Sequence, residues 1–96
     1  MTYEITGGKE TRITLEGKMD FANAPKLLKE LEALKGNDIS AIVFECGELE
    51  YVSSAGIRVF LFAHQKITQV IKMKNVCEDV MEVLEMCGLA DFIEFI

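Results

Sequence analysis

Ile39-Ser40-Ala41-Ile42-Val43-Phe44-Glu45-Cys46 is followed by Gly47-Glu48-Leu49-Glu50-Tyr51-Val52 and then by Ser53-Ser54-Ala55-Gly56-Ile57. The first eight residues are short, apolar and β-branched, which suits a strand buried on both faces. Gly47–Val52 reads as a loop, and the two serines open a helix that runs to about Lys66. A buried strand that feeds a helix start is the repeating unit of an α/β sheet. The rest of the chain is consistent with that unit in both directions. Upstream, Tyr3 and Ile5 alternate with polar neighbours, as do Ile13 and Leu15, on either side of Gly7-Gly8. This predicts strands over Thr2–Thr6 and Arg12–Gly17, joined by a hairpin turn. The period then lengthens. Ala24, Leu27, Leu28, Leu31 and Leu34 share one helical face, with Asn23 as N-cap, Pro25 in the first turn and Gly36 as the stop.

Downstream, Ile67–Met73 alternates as a strand. Asn75 and Glu78 resemble a capping box opening a third helix, with Val76, Val80, Val83, Leu84 and Cys87 inward and Glu78, Asp79, Glu82 and Glu85 outward. Gly88 ends that helix, and Phe92–Phe95 adds a last short strand. The order is ββαβαβαβ. Strands joined through helices must be parallel neighbours, whereas the first two form an antiparallel pair. The expected fold is one α/β domain spanning residues 1–96, with a mixed, mostly parallel sheet of four to five strands packed with helices.

Composition narrows the function. The 96 residues carry a net charge of −6, so the chain lacks the basic stripe that nucleic acid or an anionic membrane surface requires. Met1–Gly8 is not a secretory signal, and no apolar run approaches the roughly 18 residues of a membrane span. Neither nucleic-acid binding nor direct membrane insertion is expected. Cys46, Cys77 and Cys87 are odd in number and lack CxxC spacing, which predicts free thiols and a cytoplasmic location. There is one histidine, His64, and no metal-ligand spacing, so neither a metal nor a cofactor is implied.

The chemistry concentrates at Ser53-Ser54. A helix start offers unpaired N–H groups and the positive end of a dipole. Ser53 is expected to cap this start, leaving Ser54 at the first helical position facing solvent. The pair is either a simple capping pair or a phosphoacceptor or anion site. Ser54 is not a catalytic nucleophile: it lacks a Gly-x-Ser-x-Gly elbow, and His64, ten residues along the same helix, lies roughly 15 Å away. The chain is not expected to be an enzyme. Asp20, in Gly17-Lys18-Met19-Asp20, is either an N-cap or a neighbour of Ser54 at the carboxyl end of the sheet. In the second helix, Val59 and Phe62 point away from the Ile57, Phe60 and Leu61 stripe. They are therefore expected either to form a partner-docking surface or to pack under a neighbouring helix.

The order of elements, Gly17-Lys18-Met19-Asp20, Leu49-Glu50-Tyr51-Val52-Ser53-Ser54-Ala55-Gly56-Ile57 and Met86-Cys87-Gly88-Leu89 together resemble the STAS domain, and within it the bacterial anti-sigma-factor antagonists. The resemblance runs from about residue 3 to residue 95. It implies a phospho-switched regulator that binds an anti-sigma-factor serine kinase of the GHKL type and is reset by a phosphatase. By the same resemblance, Ser54, two places before Gly56, is the phosphoacceptor, and Asp20 is the acidic residue beside it. Ser53 stands where many antagonists have Asp, and Arg58 where a second small residue is common. The alternative within this resemblance is a constitutive STAS subunit of a membrane transport complex.

Overall fold

The computed structural model describes residues 2–96. β1 (Thr2–Thr6) and β2 (Glu10–Met19) form the hairpin, with Tyr3 opposite Leu15 and Ile5 opposite Ile13. β3 (Ala41–Val52), β4 (Ile71–Lys74) and β5 (Ile93–Phe95) follow in spatial order, each parallel to the strand before it. The crossovers are α1 (Ala24–Leu34), α2 (Ser54–Phe62) and α3 (Glu78–Met86).

Strand order fixes where the helices lie. Every crossover steps to the next strand in one direction, and right-handed crossovers running one way put all their helices on one side of the sheet. The pleat agrees with this. Thr11, Ile13, Leu15, Ile42, Phe44, Ile71, Met73 and Ile93 are buried, whereas the alternate positions Glu10, Arg12, Glu16 and Glu94 are exposed. The open face carries a cross-strand ion pair, Lys72 Nζ to Glu94 Oε2 at 3.9 Å. Val43 is buried on that open face, in register with Arg12 and Lys72 on the flanking strands. On the covered face Phe44 meets Phe60 of α2 edge-on, with ring centroids 4.9 Å apart.

Several boundaries differ from the sequence expectation. β2 runs past Arg12–Gly17 at both ends. The expected loop Gly47–Val52 is the continuation of β3. The register explains the misreading: between Thr14–Glu45 and Glu16–Glu48, and again between Gly17–Leu49 and Lys18–Tyr51, β3 advances one residue more than β2. Two bulges space Cys46, Leu49 and Val52, all buried, three apart, and that pattern hides a strand from a search for alternation. Gly17 sits at the second bulge with φ +90°, a conformation that suits glycine.

After α2 the chain keeps helical geometry through a π-helical turn, Ala63–Ile67, so β4 starts at Ile71 and not at Ile67. α3 is capped at Cys77, with no capping box. Asn75 instead takes a left-handed conformation (φ 56°) and donates from Nδ2 to Glu45 Oε1 at 2.9 Å. Of the inward set expected for α3, Val80 and Leu84 are buried, Val76 and Val83 are half-buried, and Cys87 is exposed.

All three cysteines are free thiols. Burial pushes the Cys46 thiol up to about 12, with smaller contributions from Glu45 and Cys77. Cys77 and Cys87 are exposed. An aromatic disulfide reagent at pH 8 is therefore expected to consume two thiols per native chain quickly, and the third only after denaturant is added. Three thiols reacting at one rate would contradict this placement of Cys46.

Candidate functional site

β2 and β3 end side by side, with Met19 paired to Val52. One residue on, the Ser53 N–H donates to the Met19 carbonyl at 2.8 Å, so the chain enters α2 directly above the end of β2. Ser53 has extended backbone and caps α2: its Oγ accepts from the Gly56 N–H at 3.4 Å, and its carbonyl accepts from the Ile57 N–H at 3.0 Å. It is buried. Ser54 is the first residue of α2 and is exposed. The expected division between capping Ser53 and solvent-facing Ser54 is the one the structure shows.

Gly56 makes this seating possible. A Cβ there would stand 2.7 Å from both Met19 Sδ and Val52 Cγ1, closer than carbon tolerates. The helix start thus rests on the two strand ends with no side chain in between.

Asp20 follows Met19 and so reaches the same end of the sheet. Its Oδ1 accepts from the N–H groups of Ala22 at 3.0 Å and Asn23 at 3.2 Å, and its own N–H donates to Asn23 Oδ1 at 2.8 Å. This reciprocal arrangement holds the turn into α1. The expected capping role of Asn23 is thereby corrected. Asn23 occupies the N-cap position without a side-chain bond to the helix, and its Nδ2 donates back to the Lys18 carbonyl at 2.8 Å. The carboxylate of Asp20 satisfies the free N–H groups of this turn.

Arg58 is exposed one turn after Ser54, on the same side of α2. Val59 and Phe62 depart from the docking expectation. Gly56, Val59, Phe60 and Ala63 form the buried face of the helix, with Val59 at 0% exposure, and Phe62 packs half-buried against the core. Neither offers a free apolar face.

A groove with apolar walls lies elsewhere. Between α2 and α3 runs an open groove of about 370 Å³, lined by Ser54, Ile57, Val83, Met86 and Cys87. Met86 is 81% exposed and stands at the groove wall. Sequence periodicity does not reveal this groove, because Met86 falls one place off the inward stripe of α3 while the stripe itself includes Cys87. A long apolar residue set among the carboxylates of an amphipathic helix was the available signal. His64 lies ten residues beyond Ser54, half-buried, its ring 5.2 Å from that of Phe92. Among the described residues no group of His, Cys, Asp and Glu side chains is arranged to hold a metal, and no helix is long and apolar enough to cross a membrane.

The STAS domain family profile matches residues 2–96, and the chain belongs to that family. It is 38% identical over 77 residues to the putative anti-sigma factor antagonist BtrV of Bordetella bronchiseptica. That alignment covers 77% of this chain and spans 66% of the relative's length. In fold it is similar to the anti-sigma factor antagonist SpoIIAA in its unphosphorylated form, with a TM-score of 0.80 at 15% identity over 99% of this chain and 88% of that one. An anti-sigma factor antagonist from Mycobacterium paratuberculosis gives a TM-score of 0.80 at 14% identity, over 98% and 83% of the two chains.

The geometry separates three neighbouring residues by what they do for stability. Ser53→Ala removes a long cap bond and is expected to cost about 0.5–1 kcal/mol. Ser54→Ala is expected to stay within about 0.5 kcal/mol of the parent. Gly56→Ala forces Met19 and Val52 aside and is expected to cost about 1–3 kcal/mol. Urea denaturation of the three variants measures these differences, and a Ser54→Ala loss exceeding that of Ser53→Ala would reverse the assignment of the cap.

Proposed function

We propose that the chain is an anti-sigma-factor antagonist switched by phosphorylation at Ser54. Unmodified, it holds an anti-sigma-factor serine kinase of the GHKL type; phosphorylated, it lets the kinase go; a phosphatase restores binding. The observation that carries this reading is an exposed hydroxyl at a helix start that is also on the rim of an apolar groove. The likeness to BtrV and to two antagonist structures supports it. The role is regulatory and not enzymatic, and a cytoplasmic setting suits both an ATP-using partner and three free thiols.

The same modification has opposite consequences in the free and bound protein. A phosphoryl group adds about −1.5 to −2 charges near pH 7. On the free domain it sits at the positive end of α2, with Arg58 one turn away, and stabilises the fold by roughly 0.3–1 kcal/mol. Asp20, at the same end of the sheet, opposes it in part. Against a partner that fills the groove, the charge has to be desolvated without a prearranged counterion. A loss of about 3 kcal/mol there is already more than a hundredfold in affinity. Association therefore changes without refolding.

Immobilised wild type and Ser54→Ala are expected to retain a kinase identifiable by mass spectrometry, whereas Ser54→Asp retains it at least tenfold less well. With that kinase and ATP, wild type and Ser53→Ala are expected to be labelled and Ser54→Ala spared. Equal labelling of Ser54→Ala would move the acceptor elsewhere, and equal retention of Ser54→Asp would remove charge as the controlling variable.

A further inference from the structure

Two of the three α3-side residues that line the groove, Met86 and Cys87, carry sulfur, which phosphorylation at Ser54 does not use. Met86 is 81% exposed, more than any other large apolar residue among those described. The other described methionines are less open: Met19 and Met73 are at 0% and 1% exposure, and Met81 is half-buried. Among the described residues the Met86 thioether is the most open to a water-borne oxidant, and it stands on the groove wall with Ser54 and Ile57. Cys87 adjoins it, its thiol donating to the Leu84 carbonyl at 3.4 Å.

We propose that Met86 is an oxidation site through which a peroxide weakens docking in the groove, independently of phosphorylation. The proposal rests on the docking role given above. In the reaction the Met86 sulfur attacks one peroxide oxygen. The S–O bond forms as the O–O bond breaks, a proton moves to the departing oxygen, and water leaves. Sulfur gives up two electrons and the peroxide takes them. The wall then carries a strong hydrogen-bond acceptor where an apolar face had been. α3 holds Glu78, Asp79, Glu82 and Glu85 and no lysine or arginine, so the helix supplies no cationic donor for the new oxygen. A partner side chain entering the groove must strip water from that oxygen without replacing its hydrogen bonds, which weakens binding by about tenfold. A methionine sulfoxide reductase reverses the change.

The test treats the purified full chain with hydrogen peroxide and then with dithiothreitol, which returns reversibly oxidised thiols and leaves sulfoxide in place. Peptide mass mapping is expected to find oxygen on Met86 ahead of Met19, Met73 and Met81. Calorimetry with the purified kinase is expected to show about tenfold weaker binding, restored by sulfoxide reductase. For Met86→Leu the affinities before and after peroxide should agree. Oxidation that spares Met86, a sulfoxide form that binds as the untreated chain does, or an equal loss in Met86→Leu would each overturn the proposal. If the untreated chain binds no kinase, the docking role itself fails and the proposal falls with it, an outcome separable from the other three.

Discussion

The bond from the Ser53 N–H to the Met19 carbonyl, made possible by the missing side chain at Gly56, sets the geometry of the functional end. It locks the end of β3 to the end of β2 at the point where the chain becomes helical. Ser53 is then committed to capping and Ser54 is the first residue free of that duty. A larger residue at position 56 would lift the helix start from the strands and alter both positions together. The adjacent serines thus differ in role because of one close approach between a helix and two strand ends.

A second constraint is directional. Because successive strands add on one side only, all three helices share one face of the sheet, and α2 and α3 flank the open groove. The other face is left to charged and polar side chains such as Arg12, Lys72 and Glu94. This arrangement leaves the apolar groove beside Ser54 as a place where a partner can bury surface without disturbing the core. Met19, Val59 and Phe60 are fully buried in the core and do not line the groove, so a group added at exposed Ser54 need not disturb them.

The order of elements, the hairpin, the parallel strands and the pair of serines were legible in the sequence because each depends on local periodicity or on a cap. The second half of β3 was not, because its two bulges place buried residues at intervals of three. The turn at Asp20 was half legible: the acidic residue was identified, but its carboxylate, and not the side-chain amide of a capping Asn23, takes the N–H groups. The exposed apolar positions of the helical layer were not legible either: Ile57 and Met86 line the open groove, whereas Val59 is buried and Phe62 half-buried. The polar side of α2 is narrow, only Ser54 and Arg58, so packing against α1 and the sheet decides which of its many apolar residues remain outside.

The central claim is that charge at Ser54 controls association while the fold stays the same. It is tested most directly on the chain carrying phosphoserine at position 54, by measuring kinase affinity and the amide hydrogen exchange of α2 on one preparation. The account requires binding more than a hundredfold weaker than that of the unmodified chain, with exchange protection in α2 unchanged or slightly higher. Undiminished affinity, or a loss of affinity accompanied by deprotection of α2, would contradict it.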